Sequence, residues 1–233
     1  GNAQGFRVLT RLQRSNNRGW MQLTCATLAA FMKYPRLSCL EEIELEKLKG
    51  ICFKKFGFFK TEHSMFCEVA KEVGLIPAVK GKAWYRHPLA FLVEAADDIC
   101  YTIVDFEDGV RLGYVKYKKA ERLLIDIISN KDNEEFKKEL NNIRGEKEKL
   151  ECLRSKVINE LIKQVTSYFV KNEDKILAGK FNEELIGIID AAPAVKEISL
   201  LSQQDIYTAN GVVEIEAAGY EVIGGLLETF LQA

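Results

Sequence analysis

The chain has 233 residues, 33 basic and 34 acidic, with a formal net charge of −1. That length suits one sizeable core, or one core with a helical appendage. The even charge excludes a global basic field of the kind that advertises nucleic acid, while local basic clusters stay open.

No apolar run approaches the ~20 residues of a membrane span. Residues 1–14 are polar and basic without an apolar stretch, so they do not read as a signal peptide. Six cysteines, at Cys25, Cys39, Cys52, Cys67, Cys100 and Cys152, form no C-x-x-C pair and sit in apolar surroundings. This predicts free thiols in a reduced, cytoplasmic compartment and argues against a zinc site. Only four prolines interrupt long periodic segments, which predicts an all-α chain.

In chain order, Phe6, Val8, Leu9 and Leu12 predict a short amphipathic helix ending at the turn cluster Ser15-Asn16-Asn17. Thr24 is a candidate cap for a helix through Leu28 and Phe31. Pro35 disfavours helix at Tyr34, so Lys33 and Tyr34 fall at a helix exit. Lys33 there is either a cation compensating the helix dipole or a group for an anion. Glu41 to Lys49 reads as a solvated helix. Lys54-Lys55-Phe56-Gly57-Phe58-Phe59 is either a phosphate-facing loop or a surface loop with lysine stems lying over aromatics. Thr61-Glu62-His63-Ser64 opens a helix that Gly74 ends. His63 and His87 lack a spaced partner; His63 reads as a surface residue and His87 as a cap or packing residue.

Arg86 to Asp105 reads as one helix with Pro88 in its first turn. Leu89, Leu92, Val93, Ala96, Ile99 and Ile103 recur at helical spacing and predict its buried face. Asp97, Tyr101 and Asp105 follow every four residues, a slanting polar row, since each step of four advances ~40°. Such a row is either wet surface or a set of oxygen ligands and hydrogen-bond acceptors. Gly109 to Tyr117 reads as a connector, Ala120 to Ile128 as an amphipathic helix, and Ser129 to Leu150 as an exposed helix or mobile loop. Leu153 to Val170 is strongly periodic and carries Arg154 near its start. Phe181 to Leu185 reads as a helix opening, Ala191 to Lys196 as a linker, and Gln203 to Ala209 as a short helix or turn. The last helix, from Val212, is expected to break at Gly224-Gly225 and to dock through Phe230 and Leu231. Domain boundaries are set at 1–128 and 129–233.

The helix signature Arg86-His87-Pro88-Leu89 followed by Glu94-Ala95-Ala96-Asp97-Asp98-Ile99-Cys100-Tyr101 closely resembles that of the deoxyguanosinetriphosphate triphosphohydrolases, dNTPases of the HD-domain superfamily. Gly1-Asn2-Ala3-Gln4-Gly5 with Arg7, Leu23-Thr24, Lys33-Tyr34-Pro35, the Lys54–Phe59 loop and Glu216-Ala217-Ala218-Gly219-Tyr220 agree in order. The resemblance implies an incomplete HD-domain-like helical bundle in 1–128 and a C-terminal helical extension in 129–233. It further implies hydrolysis of dGTP to deoxyguanosine and tripolyphosphate at a divalent metal, Mn or Mg. Asp97 would be one metal ligand. Asn2, Lys33, Tyr34, Lys55, Tyr101, Asp105 and Arg154 would bind substrate, with Tyr101 against the deoxyribose and Asp105 on the 3′-hydroxyl. The chain holds no His-Asp dipeptide, so the other ligands and the catalytic groups are expected upstream of Gly1. The fragment alone is then expected to be inactive and to hold the metal weakly or not at all. The family implies a homo-oligomer and allows a single-stranded DNA effector. The alternative is a non-catalytic helical module for nucleotide sensing or oligomerisation. Another HD phosphohydrolase, such as a nucleotidase, would explain the Asp but neither the Tyr101 and Asp105 spacing nor the lysines.

Overall fold

A computed structural model describes residues 2–13, 21–128 and 130–232. The chain is all-α apart from one small strand pair. In order the elements are α1 (Asn2–Arg7), α2 (Cys25–Phe31), α3 (Glu42–Leu45), α4 (His63–Glu72), strands β1 (Pro77–Val79) and β2 (Ala83–Trp84), and α5 (Pro88–Arg111). There follow α6 (Tyr117–Ile127), α7 (Asn130–Asn142), α8 (Glu146–Lys171), α9 (Glu173–Leu177), α10 (Ala192–Leu201) and α11 (Asn210–Gln232). None of the described helices is long and apolar enough to cross a membrane.

The chain divides into two compact units, Gly1–Asp97 with Val165–Ile189, and Asp98–Gln164 with Asp190–Ala233. The first is built on an aromatic core. Phe58 stacks on Phe66 at 4.5 Å between ring centres, and Phe6 and Trp84 meet Phe66 edge-on at 5.6 and 5.4 Å. Such pairs add about 0.5–1.5 kcal/mol each beyond burial. Thr24 caps α2 as expected, its hydroxyl accepting from the Thr27 amide at 3.2 Å. His87 is likewise a cap: its Nδ1 accepts from the Leu89 amide at 3.2 Å, ahead of Pro88 at the start of α5. His63 is half-buried and donates from Nε2 to the Gly81 carbonyl at 2.6 Å. In the second unit, Ala120, Leu123, Leu124 and Ile127 of α6 are buried, as are Val195, Ile198 and Leu201 of α10, against which α6 packs.

Several expectations need correction. The first helix starts at Asn2, and a π turn, Val8–Leu12, continues it; the expected turn at 15–17 lies outside the described residues. The helix expected over 41–49 is one turn, Glu42–Leu45, because Gly50 at φ 122° and the adjoining loop cannot extend it. α5 runs on to Arg111, so the connector is only 112–116. The α5 face that is buried is Ala90, Phe91, Ala95, Ile99, Ile103 and Phe106; Leu89 and Val93 are each 48% exposed. Residues 181–184 are not helical, and only a 3-10 turn, Leu185–Gly187, follows. The expected linker at 191–196 is the start of α10, where Pro193 occupies the first turn that tolerates it. Gly224 and Gly225 do not interrupt α11, because propensity penalties of about 1 kcal/mol each are outweighed over a long helix. Phe230 and Leu231 do not dock; they are 77% and 85% exposed. The strand pair is not foreseen by any alternation in the sequence.

Candidate functional site

The loop after Phe53 carries Lys54 and Lys55, and Gly57 decides where it lies. A Cβ at Gly57 would collide with Met32 Sδ and the Tyr34 carbonyl oxygen. Only glycine lets the two segments lie back to back. The Gly57 amide donates to the Arg36 carbonyl at 3.0 Å and the Ser38 amide to the Phe58 carbonyl at 3.0 Å. The Lys-Lys-Phe-Gly loop is thereby fastened to the exit of α2, where Lys33 and Tyr34 stand.

This brings Asn2 and Lys55 to one cavity of about 430 Å³, with Gln4, Arg36, Lys54, Phe56 and Phe59 also in its wall. The sequence marks Asn2 and Lys55 as substrate-binding residues and Lys54 as part of the same basic loop; it does not mark Arg36. Lys54 is partnered by Glu184 at 3.2 Å. Arg36 donates to the Phe53 carbonyl at 3.0 Å, and burial lowers its pKa, though a guanidinium remains charged near neutrality. Among the described residues Lys55 has no ion pair. The wall therefore offers three cations, one already matched, and the Asn2 amide. A polyanion with several oxygens is the ligand that such a surface suits.

Lys33 and Tyr34 sit differently. The Lys33 ammonium is 3.1 Å from Glu94 on α5. Glu94 also accepts from both terminal guanidinium nitrogens of Arg86, Nη1 and Nη2, at 2.5 and 3.2 Å. Arg86 further donates from Nε to the Lys33 carbonyl at 2.6 Å and lies 5.7 Å from the Tyr34 ring centre. The side chains of Arg86 and Glu94 are 1% and 2% exposed. This buried pair ties the α2 exit to α5 through both the backbone and the side chain of Lys33. Neither residue was expected to matter beyond the signature, because a Glu in a helix looks like surface until its partner is known.

Asp97 follows Glu94 by three residues on α5. It is exposed, and among the described residues it has no hydrogen bond or ion pair. Leu89 and Val93 of the same open face are half-exposed apolar residues. No group of three or more His, Cys, Asp or Glu among the described residues is arranged to hold a metal ion. A hydrolytic metal takes about three protein ligands and a water, so the residues present do not by themselves fit one.

In the second unit Tyr101 is 60% exposed, and Asp105 is half-buried and accepts from the Tyr207 hydroxyl at 2.8 Å. Arg154 donates to the buried Glu107 at 2.8 Å. Arg111 approaches the other oxygen of Glu107 at 2.9 Å without hydrogen-bond geometry. Arg154 thus balances a buried carboxylate. A larger cavity of about 670 Å³ in this unit, walled by Arg111, Lys116, Tyr117 and Lys147 among others, contains none of the singled-out residues.

These features define a helical protein with a cationic cleft and, on α5, an exposed carboxylate at Asp97. The chain is 44% identical over 99% of its length to a deoxyguanosinetriphosphate triphosphohydrolase-like protein of Synechocystis, and 35% identical over its full length to one of Listeria monocytogenes. It is 27% identical over 99% of its length to a deoxyguanosinetriphosphate triphosphohydrolase of Klebsiella pneumoniae. These matches take in 51%, 49% and 46% of the three relatives, so the chain spans about half the length of the curated relatives it matches. No family model matches the chain. These relatives support assignment of the chain to the deoxyguanosinetriphosphate triphosphohydrolase family.

Proposed function

We propose that this chain is part of a metal-dependent dNTP triphosphohydrolase of the HD-domain superfamily, with dGTP as substrate and deoxyguanosine and tripolyphosphate as products. The observation that carries this reading is the meeting of Asn2 and Lys55, far apart in sequence, in one cationic cavity. A triphosphate carries about four negative charges near neutral pH, and its hydrolysis needs cations around the transferring group. Lys55 and Asn2 take phosphate oxygens, and Arg36 and Lys54 add to the field. Lys33 exchanges part of its contact with Glu94 for a phosphate oxygen, with Tyr34 beside it; Arg154 contributes a further cation. Tyr101 packs against the deoxyribose and Asp105 accepts from the 3′-hydroxyl. Water adds to the α-phosphorus, the bond from phosphorus to O5′ breaks, and O5′ leaves with a proton as the nucleoside hydroxyl.

Asp97 would supply one ligand to a Mn or Mg ion, and such an ion would polarise the phosphoryl oxygen. The remaining ligands belong to residues outside 1–233, so the chain alone is inactive. The enzyme acts in the cytoplasm. It assembles with further copies of itself, a reading that the uncovered apolar side chains of α11 support, and single-stranded DNA acts as an effector. The same helix favours the second reading, a non-catalytic oligomerisation or nucleotide-sensing module.

The test is hydrolysis of the four dNTPs by the full-length protein in Mn, with the products identified. Release of tripolyphosphate, and a KM for dGTP raised at least tenfold in Lys55→Ala, is the expected result. Pyrophosphate as product, or an unchanged KM in that variant, contradicts the reading. No turnover of any dNTP leaves the module as the better account.

A further inference from the structure

Asp105 is held in place by a device outside its own helix. α10 does not end at Leu201 but runs into a π turn, Ser202–Ile206, a form often found where a helix has been adapted to a site. The turn drives Ile206 into the core, 5% exposed, directly against Gly109 of α5. A Cβ at Gly109 would collide with the Ile206 side chain, so the glycine leaves the space that Ile206 fills. Gly109 lies one helical turn beyond Asp105. With Ile206 seated there, Tyr207 reaches back along α5 and donates its hydroxyl to Asp105 Oδ2 at 2.8 Å.

We propose that Tyr207 is a positioning residue for recognition of the sugar: it occupies Oδ2 of Asp105 and turns the remaining oxygen, Oδ1, toward the 3′-hydroxyl of a 2′-deoxynucleotide. This rests on the reading of Asp105 given above. A carboxylate has about four acceptor sites, so one phenol leaves room for a sugar hydroxyl on the same group. Among the described residues Tyr207 is the one side chain hydrogen-bonded to Asp105. Burial first, and the Asp105 carboxylate next, push the Tyr207 phenol up to about 12, so it stays a donor throughout the working range. A phenol fixed at one oxygen removes the carboxylate's freedom to rotate. A charge-assisted hydrogen bond of this kind is geometrically demanding as well as strong.

The experiment compares dGTP with 2′,3′-dideoxy-GTP, which lacks the 3′-hydroxyl, in the full-length protein and its Tyr207→Phe and Asp105→Asn variants. Tyr207→Phe keeps the ring and removes only the hydroxyl. It is expected to lower the preference for dGTP over the dideoxy analogue about five- to tenfold, through KM and not kcat. Asp105→Asn is expected to lose most of that preference. If Asp105→Asn loses the preference while Tyr207→Phe keeps it, or if Tyr207→Phe raises both KM values equally, the positioning role is overturned and the reading of Asp105 stands. If Asp105→Asn keeps the preference, the reading of Asp105 itself fails and the inference falls with it.

Discussion

Glu94 is the residue on which the α2 exit depends most. It is buried, matched by Arg86 on two bonds and by Lys33 on a third contact. Taking one partner from a buried ion pair costs about 3–5 kcal/mol, because the other charge is left uncompensated. Glu94→Gln should therefore lower unfolding stability by several kcal/mol, read by denaturant titration, and should raise KM for dGTP in the full-length protein by freeing the Lys33 turn. A loss under about 1 kcal/mol would show that the pair is not structural. His87 makes the stability depend on pH. Burial lowers its pKa below 6.5, and its Nδ1 is already used as an acceptor at the start of α5. The folded state thus binds the proton less readily than the unfolded one. The stability this contributes is full above about 6.5, the unfolded value, and is lost as pH falls from there toward the folded pKa. The unfolding midpoint should drop between pH 7 and pH 5, and His87→Asn, which keeps a capping oxygen, should flatten that drop. An identical slope in the variant would remove His87 as its source.

At the scale of elements, glycine contacts set the register of the parts. Gly57 fastens the basic loop to the α2 exit, and Gly109 receives the turn after α10. Gly57→Ala should displace the loop, since the atoms it would meet include a backbone carbonyl, and so raise KM for dGTP with little change in kcat. Wild-type kinetics in that variant would separate the loop from substrate binding. Much of this level was legible in advance. Thr24 as a cap, Pro88 at the start of α5 and the long α5 itself follow from local rules that tertiary packing did not override. What was not legible depended on partners far away in sequence. The Arg86–Glu94 pair looks like surface charge until the α2 exit is laid against it. Residues 191–196 read as a linker and Gly224-Gly225 as a break from local sequence alone, in which the burial of Val195, Ile198 and Leu201 that favours helix over the first is not visible. The buried stripe of α5 is hidden for the same reason: Leu89 and Val93 fit a helical stripe, yet the core takes the neighbouring stripe of Ala90, Phe91 and Ala95. Of the residues singled out, Asn2 and Lys55 share a cavity wall, Lys33 and Tyr34 share the Arg86 network, and Arg154 answers a buried carboxylate.

For the whole molecule, α11 bears large uncovered side chains, with Ile223, Leu226 and Leu227 each at least 52% exposed and Tyr220 at 80%. Exposed apolar surface on this scale marks an interaction site. On the assembly proposed above, Ile223→Glu combined with Leu227→Glu should reduce the mass of the full-length protein measured by light scattering; an unchanged mass would place the copy-to-copy contact elsewhere. On the function proposed above, the exposed carboxylate of Asp97 serves the reaction rather than the surface. Tripolyphosphate release from dGTP by the full-length Asp97→Asn protein measures that role. With an unfolding midpoint like that of the parent protein, the variant should release none above background in Mn, and release at the parent rate would remove Asp97 from the reaction.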